Sequence, residues 1–389
     1  MSQILEGGSS LYVVPAADSL KEWDEGSSLP RVNVIFVNYN GREHLPACLS
    51  SLFAQSYQNF DVTVVDNASS DGSVEYLRVH FPQVRTIESP VNLGFGRANN
   101  LGIQATDGEH VALTNYDVEF DPCWLEEMVR AAQADPQVGI VAPKVLLFDE
   151  RDRVNACGLT LQYTGYAFSR GYFRETGDFS QPEVIASGTG CSLLIPRRVL
   201  DQVGGFDPLF QELGEQFYRS SLEDVDLCWR VQLAGYRVLF QPTAKLYHKY
   251  IPKELSPLRF QYLEAGRWLL LLKNYRWLTL LLLSPALLLA ELVAWGAALI
   301  KGGVYLLAKA RTYEWLLGHF PTILARREEV QRQRRVDDLL LLRRFSTDTR
   351  FGRFFPSWFF AGPWLERGIN LIFRLNHRVS KWLLGSLGQ

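Results

Sequence analysis

The stretch Val32–Gly41 reads VNVIFVNYNG, and the expected fold follows from it. Its first six residues are rich in β-branched and aromatic side chains, which is typical of a buried strand. The stretch then ends in Asn and Gly, which favour a tight turn. Ligands of open α/β sheets bind beyond the carboxyl ends of the strands. This strand end is therefore the first place to look for a site.

Further along the chain, helical and extended patterns alternate. Helical spacing of apolar residues marks 44–55, 72–81 and Leu222–Ala234, and short β-rich runs mark Val62–Val65, Val84–Glu88, His110–Thr114 and Tyr236–Phe240. Strands that alternate with helices predict a parallel sheet with right-handed crossovers. We therefore predict a doubly wound α/β domain.

Length and composition are those of a globular chain. The 389 residues allow one large or two ordinary domains, and 47% apolar with 21% charged residues excludes a disordered chain. The formal net charge of -2 provides no general basic field for nucleic acid. The five cysteines are scattered and form no CxxC pair, so we expect a reducing compartment. Residues 1–30 lack the features of a signal peptide and are predicted to be a flexible leader.

Polar turns recur at the ends of neighbouring predicted strands. Asn38–Gly41 follows the first strand and Asp66–Gly72 the second, and both place groups that hydrogen-bond a base or ribose at strand ends. Turn formation alone would account for either motif. Asn92–Asn100 is a glycine turn that opens a helix, where free amides suit an anion. It is not the dinucleotide fingerprint, because it follows the third strand and lacks G-x-G-x-x-G.

Carboxylates follow the fourth predicted strand. Asp117 and Glu119 are two residues apart, so in extended backbone both side chains face one side and can share a hard cation. Such a cation would neutralise charge on a departing nucleoside diphosphate. A solvated acidic turn would explain the same pattern.

Three more carboxylates, Glu223, Asp224 and Asp226, occupy the first turn of an amphipathic helix. One explanation for acids at this position is that they stabilise the helix by interacting with the positive end of its dipole. The apolar residues between them indicate burial, however, and a buried carboxylate beside a cation is suited to be a general base. His248 follows the last strand, where it is either a structural residue or a further metal ligand.

Together these residues resemble the family 2 glycosyltransferases, and within them the bacterial rhamnosyltransferase-type enzymes. The motifs lie in order between about Arg31 and Lys249, and they are Val37–Asn40, Val65–Gly72, Asn92–Phe95, Asn115–Glu119, Val203–Asp207 and Glu223–Arg230.

The resemblance implies a GT-A type domain with a doubly wound mixed sheet. It implies inverting transfer of a sugar from a nucleoside diphosphate donor such as dTDP-rhamnose, assisted by Mg²⁺ or Mn²⁺. The implied metal ligands are Asp117, Glu119 (in place of the usual Asp) and His248, and the implied catalytic acids are Asp224 as base with Glu223 and Asp226. The implied donor-binding residues are Asn38, Asn40, Asp66, Asn67, Asn92, Gly94, Asn99, Asn115 and Trp229.

Two departures from the family pattern are visible. The connection 211–221 is longer and more polar than usual, and we expect a mobile loop at the acceptor side. The Q-x-x-R-W motif of processive synthases is absent, because Gln261 and Arg267 are spaced too widely. Transfer of a single sugar is therefore favoured over processive synthesis. A catalytically silent sugar-nucleotide-binding scaffold on the membrane is the other alternative.

The segment Trp277–Leu299 is apolar apart from Glu291, and its length suffices to cross a bilayer, which takes about 20 apolar residues. A buried soluble helix would fit as well. A single span would place the arginine cluster at 326–335 on the far side, against the positive-inside tendency. Pro285 and Glu291 would also lie in mid-membrane.

We therefore predict a re-entrant or interfacial helical hairpin, with Tyr313–Arg344 as a basic amphipathic helix on the cytoplasmic leaflet of a bacterial inner membrane. Aromatic residues in Phe351–Trp364 and at Trp382 suit the interface. The expected domains are the leader 1–30, a glycosyltransferase domain over 31–255 and a membrane-associating region over 256–389. The expected acceptor is a lipid-linked glycan or a polysaccharide.

Overall fold

The computed structural model describes residues 29–213, 222–251, 254–349 and 363–387, so most of the expected leader lies outside the described residues. The described strands are β1 (Val32–Asn38), β2 (Phe60–Asp66), β3 (Arg85–Glu88), β4 (His110–Thr114), β5 (Val118–Phe120), β6 (Val138–Leu147), β7 (Val154–Ala156), β8 (Leu159–Leu161), β9 (Ala167–Ser169), β10 (Glu183–Val184), β11 (Ser192–Pro196) and β12 (Arg237–His248). The α-helices are α1 (Leu45–Phe53), α2 (Ser73–His80), α3 (Gly94–Gln104), α4 (Trp124–Ala134), α5 (Arg197–Val203), α6 (Glu223–Leu233), α7 (Pro257–Asn274), α8 (Trp277–Lys301), α9 (Gly303–Gly318), α10 (Phe320–Gln333), α11 (Asp338–Arg344) and α12 (Pro363–Leu387).

Ten of the described strands form one mixed sheet in the order β10-β12-β6-β11-β4-β1-β2-β3, with β5 added to β12 and β7 to β6. The predicted parallel arrangement is present in β4-β1-β2-β3. It ends at β11, which runs antiparallel to β4 and to β6. The antiparallel strand β11 therefore separates the parallel strands β4-β1-β2-β3 from the other half of the sheet, which contains β6 and β12.

Strand β1 is buried on both faces, and its alternating side chains divide the core into two layers. Val34 and Phe36 pack with α1 and α4 on one face. Ile35 packs with α3, α5 and α6 on the other. A sheet covered on both faces fixes each strand end rigidly, so the turns that follow β1, β2 and β4 hold defined positions.

The helices after α6 pack against the sheet domain through a third apolar cluster. Its centre is Trp229 of α6, which contacts the rings of Tyr275 and Phe345 edge-on. The single amphipathic helix predicted over 313–344 is wrong. The chain instead forms the end of α9, then α10 and α11, because Gly318 closes one helix and Pro321, which cannot donate a backbone hydrogen bond, opens the next.

Candidate active site

A cleft of about 400 Å³ opens at the carboxyl ends of β1, β2 and β4. The turn after each of these strands contributes lining residues, and so do the start of α6 and the end of β12. The residues predicted from the sequence that line it are Asn67, Asn92, Asn115, Asp117, Asp224 and His248. The structure thus brings one acid from each of two separate segments into one cavity with the histidine.

Asp117 and His248 lie side by side in this cleft, with Nε2 of His248 3.4 Å from Oδ1 of Asp117. Pairing of β5 with β12 sets this contact, because His248 lies opposite Val118 in the ladder. On its other side, Nδ1 of His248 lies 3.0 Å from the Asn155 amide oxygen. Such a partner fixes the orientation of the imidazole ring.

The two side chains alter each other's ionisation. Burial opposes ionisation of Asp117, but the adjacent His248 imidazole outweighs it and holds the pKa of that carboxyl below its usual range. Burial also acts against the protonated imidazole, but the Cys191 thiol and Asp117 outweigh it and raise the pKa of His248 to about 10. A cation bound between these two groups would compete with a proton on the imidazole.

The donor set fits a divalent cation. Oδ1 of Asp117 is buried and, within the described residues, accepts no hydrogen bond. Two ligands of one cation, each at about 2.1 Å, lie roughly 3 Å apart, near the spacing of this carboxylate and imidazole. The described residues contain no group of three or more His, Cys, Asp or Glu side chains placed to share an ion. Any bound cation would therefore take its remaining ligands from substrate and water.

Glu119 does not line the cleft with Asp117. Its carboxylate pairs with Arg151 at 2.9 Å, on the part of β5 that lies opposite Tyr247. The prediction that both acids face the same side assumed extended backbone. The chain bends at Tyr116 and Asp117 before β5 begins, so the alternation of a strand does not hold across that point.

Asp224 faces the cleft from the first turn of α6. Its Oδ2 accepts the Gly190 N–H at 2.8 Å and its Oδ1 the Val225 N–H at 2.8 Å. Burial raises the pKa of Asp224, and although the hydrogen bonds from the two amides lower it, the pKa remains above its usual value. Leu222 precedes the helix in a left-handed conformation, with φ of 76°, and this turn aims the carboxylate at the cavity. A fixed carboxylate of raised basicity can accept a proton from a hydroxyl group.

The other acids of this turn do not line the cleft. Asp226 is completely buried and pairs with Arg230 and Lys273, each at 2.8 Å. Glu223 is also buried, outside the cavity lining. Asp226 thus joins α6 to its neighbours, whereas Asp224 alone of the three faces the cavity.

Asparagine side chains form the floor of the cleft between β2 and α3. Asn67 donates to the Asn92 amide oxygen at 2.8 Å, and its own amide oxygen accepts the Leu93 N–H at 2.7 Å. Asn92 in turn accepts the Gly94 N–H at 2.9 Å. Gly94 has φ of 75°, a conformation that side chains disfavour, so glycine is needed at this turn.

The remaining predicted donor residues support the cleft from behind. Asn38 donates to Asp66 at 2.9 Å, and Asn40 accepts the Ser70 N–H at 2.8 Å, which ties the β1 and β2 turns together. Asn99 donates to a carbonyl of its own helix. Trp229 is buried in the cluster with Tyr275, away from the cavity. The predicted donor residues that do not line the cleft are therefore Asn38, Asn40, Asp66, Asn99 and Trp229.

Several lining residues were not predicted. Lys249 and Arg259 bring positive charge to the mouth of the cavity, and Gly190 supplies the amide that holds Asp224. Lys249 directly follows His248 in the sequence, which was a visible signal for its position. Gly190 carried none, because its role depends on β11 inserting beside β4.

A mixed sheet with a polar cleft at its strand ends is typical of an α/β enzyme domain, and comparison with known proteins identifies that domain. Residues 33–204 match the family model described as Glycosyl transferase family 2. Residues 33–204 therefore form a family 2 glycosyltransferase domain, and the mixed sheet around them has the GT-A fold. The crystal structure of GalNAc-T7 with UDP, GalNAc and Mn²⁺ resembles the fold with a TM-score of 0.51 at 15% identity, over 65% of this chain and 50% of that one.

Two curated relatives are similar over the same half of the chain. An N-acetylglucosaminyl-diphospho-decaprenol L-rhamnosyltransferase of Mycobacterium tuberculosis is 28% identical over 238 residues, which cover 55% of this chain and 75% of the relative. The O-antigen biosynthesis protein RfbC of Myxococcus xanthus is 30% identical over 232 residues, or 56% of this chain. The chain spans only 17% of the length of RfbC.

Proposed function

We propose that this protein transfers one sugar, with inversion, from a nucleoside diphosphate sugar to a lipid-linked or polysaccharide acceptor in the synthesis of a cell-surface glycan. The observation that carries the proposal is the shared cleft of Asp117, His248 and Asp224. A basic carboxylate faces a carboxylate–imidazole pair there, which is the arrangement that deprotonation beside a departing diphosphate requires.

Each lining residue has a role in this proposal. Asp224, held by the Gly190 and Val225 amides, takes the proton from the acceptor hydroxyl as that oxygen attacks the sugar. The same attack breaks the bond from the sugar to the diphosphate, which leaves with the bonding electrons. Lys249 and Arg259 face this developing negative charge from the mouth of the cleft. Asn67, Asn92 and Asn115 hydrogen-bond polar groups of the donor.

Asp117 and His248 would hold Mg²⁺ or Mn²⁺, with Glu119 placed to act on it only indirectly. When bound, the cation supplies charge neutralisation to the leaving nucleoside diphosphate. Support comes from the buried Asp117 Oδ1, which accepts no hydrogen bond within the described residues, and from its spacing to the imidazole. Imidazole is a better ligand for Mn²⁺ than for the harder Mg²⁺.

Rhamnose and a lipid-linked acceptor are the substrates that we propose to test first. The support is the printed name of the Mycobacterium tuberculosis relative, a rhamnosyltransferase of a diphospho-decaprenol acceptor. We propose that residues 31–255 carry the transfer and that 256–389 associate with the cytoplasmic face of a bacterial inner membrane. Among the described helices, α8 is long and apolar enough to cross a membrane, which by itself is weak support.

A thermal-shift screen tests the donor assignment. Ligands that bind the native state raise the melting temperature. We expect dTDP-rhamnose, or another nucleoside diphosphate sugar, to stabilise the protein in Mn²⁺ or Mg²⁺ more than either component alone. Absence of a shift with every such donor in either metal would contradict a donor site in this cleft. A donor that binds without being turned over would instead indicate a silent scaffold.

A further inference from the structure

We propose that α8 and α12 lie flat on an anionic phospholipid surface and that α8 does not cross the bilayer. This refines the membrane association proposed above and rests on it. The two helices pack on each other, and each presents an outward row of large apolar side chains that the protein itself does not cover.

Helix α12 has three distinct faces. Phe373, His377 and Ser380 are buried against the protein. The opposite face is apolar and exposed, and its residues are Leu371, Ile372, Leu375, Val379 and Trp382. Trp382 is 70% exposed, which is unusual for so large an apolar side chain. Between the two faces runs a basic edge with Arg367, Arg374, Arg378 and Lys381. An apolar face bordered by basic residues is the pattern of a helix that lies in a lipid interface.

Helix α8 carries a second exposed apolar row. Its exposed row includes Trp277, Leu281, Leu288, Leu292 and Leu299, at the spacing of one helix face. Helix α12 is fixed to α8 at Leu282, whose carbonyl accepts from Asn376 at 3.2 Å and from Ser380 at 3.1 Å. The two helices that carry the apolar rows are therefore joined to each other directly.

The middle of α8 is bound to the sheet domain. Glu291 accepts from Trp268 at 2.8 Å, pairs with Lys309 at 2.9 Å and also pairs with Arg267. Arg267 in turn donates to the Thr164 carbonyl, in the loop between β8 and β9, at 3.2 Å. If α8 crossed a bilayer, this loop and the buried ion pairs would lie at mid-membrane, where unpaired backbone and charge are strongly unfavourable. An in-plane helix avoids that cost.

Charge distribution identifies the lipid. Arg343 of α11 and Lys381 of α12 line a shallow cavity with the exposed Trp382. The described part of α12 carries four basic residues, Arg367, Arg374, Arg378 and Lys381, and one acid, Glu366. Arg374 is paired with Asp348, which leaves three basic side chains for the lipid. Basic residues close to a membrane surface attract anionic headgroups. A second copy of the chain would bring two basic edges together, which disfavours a dimer through this face.

Vesicle sedimentation tests the surface. We expect the purified 389-residue chain to bind vesicles of phosphatidylcholine with phosphatidylglycerol at least tenfold more tightly than vesicles of phosphatidylcholine alone. The double variant L375E/V379E should lose at least tenfold in binding, and R378E/K381E should lose the preference for the anionic lipid. Val79, 73% exposed on α2, provides the matched control V79E, which should bind as the wild type does. Equal binding by L375E/V379E and the wild type, or a wild-type dimer that L375E/V379E abolishes, would overturn the proposal.

Cysteine labelling tests the orientation of α8. With the exposed Cys123 changed to Ser, single cysteines at Arg276 and at Gly303 mark the two ends of the helix, and Gly303 has room for a side chain. On vesicle-bound protein, a membrane-impermeant maleimide should label both positions from outside. Labelling of only one end before the vesicles are opened would show that α8 crosses.

The two proposals can fail separately, because vesicle binding requires no donor. Vesicle binding by the wild type without any sugar transfer would contradict the proposed function and leave the surface intact. Transfer in solution by a wild type that binds no vesicles would contradict the surface alone.

Discussion

The ammonium group of Lys273 lies 2.8 Å from the carboxylate of Asp226, and both side chains are completely buried. Asp226 belongs to α6, two residues from Asp224, whereas Lys273 belongs to α7. The same ammonium lies 2.6 Å from Asp207 in the preceding motif. The first helix of the carboxyl-terminal region thus neutralises two acids of the glycosyltransferase domain, and α6 has its native electrostatic surroundings only when α7 is in place.

Replacing Lys273 by Met should destabilise the protein strongly. Without the Lys273 ammonium, the negative charges of Asp226 and Asp207 stay buried with fewer positive partners. Removing one partner of a buried ion pair lowers the free energy of unfolding by about 3–5 kcal/mol. Urea denaturation measures the loss. Lys301, partly exposed at the end of α8, provides the control K301M, which should change the free energy of unfolding by less than about 0.5 kcal/mol. Similar unfolding curves for the two variants would contradict this role of Lys273.

The Asp226 carboxylate also shows what sequence patterns miss. The motif Glu223–Arg230 predicts that α6 begins with buried acids, and Asp224 does line the cleft. Asp226 has a local partner in Arg230, four residues on, but its second cationic partner, Lys273, lies 47 residues further along the chain. Asp117 and Glu119 differ for a comparable reason, because a two-residue bend before β5 cancels the strand alternation. Strand ends and the cleft position follow from local patterns, whereas the order of the strands in the sheet and the ion-pair partners depend on tertiary packing.

Metal affinity should distinguish Asp117 from Glu119. In a Mn²⁺ titration with a nucleoside diphosphate present, D117N and H248Q should bind the ion at least about tenfold more weakly than the wild type, since each loses a direct ligand. E119Q, the matched acid-to-amide control, should bind nearly as well, because Glu119 pairs with Arg151 outside the cleft. Equal weakening by E119Q and D117N would show that Glu119 reaches the metal.

Stability should fall in acid through the buried Glu264. Burial opposes ionisation of this carboxyl, but Arg267 and Lys309 outweigh it and lower its pKa to about 2. A folded-state pKa below the unfolded value stabilises the protein above about pH 4.5, and this contribution, about 3 kcal/mol, is lost as the pH falls towards about 2.

The variant E264Q isolates that contribution. It should be less stable than the wild type at neutral pH, because Arg267 and Lys309 lose a charged partner, and its stability should decline less between about pH 4.5 and about pH 2. Urea denaturation at several pH values measures both effects. Parallel profiles for E264Q and the wild type over this interval would exclude Glu264 as a source of the acid sensitivity.

The most direct test of the shared cleft compares donor binding with donor turnover in D224N. The donor is the sugar nucleotide that gives the largest thermal shift, and the readout is the rate of nucleoside diphosphate release with Mn²⁺ present. Because the amide keeps the shape of the carboxylate but cannot take a proton, D224N should retain the thermal shift and lose at least about 100-fold in rate. The exposed Asp201 on α5 provides the control D201N, which should match the wild type. A D224N rate equal to that of the wild type would contradict the assignment of Asp224 as the base.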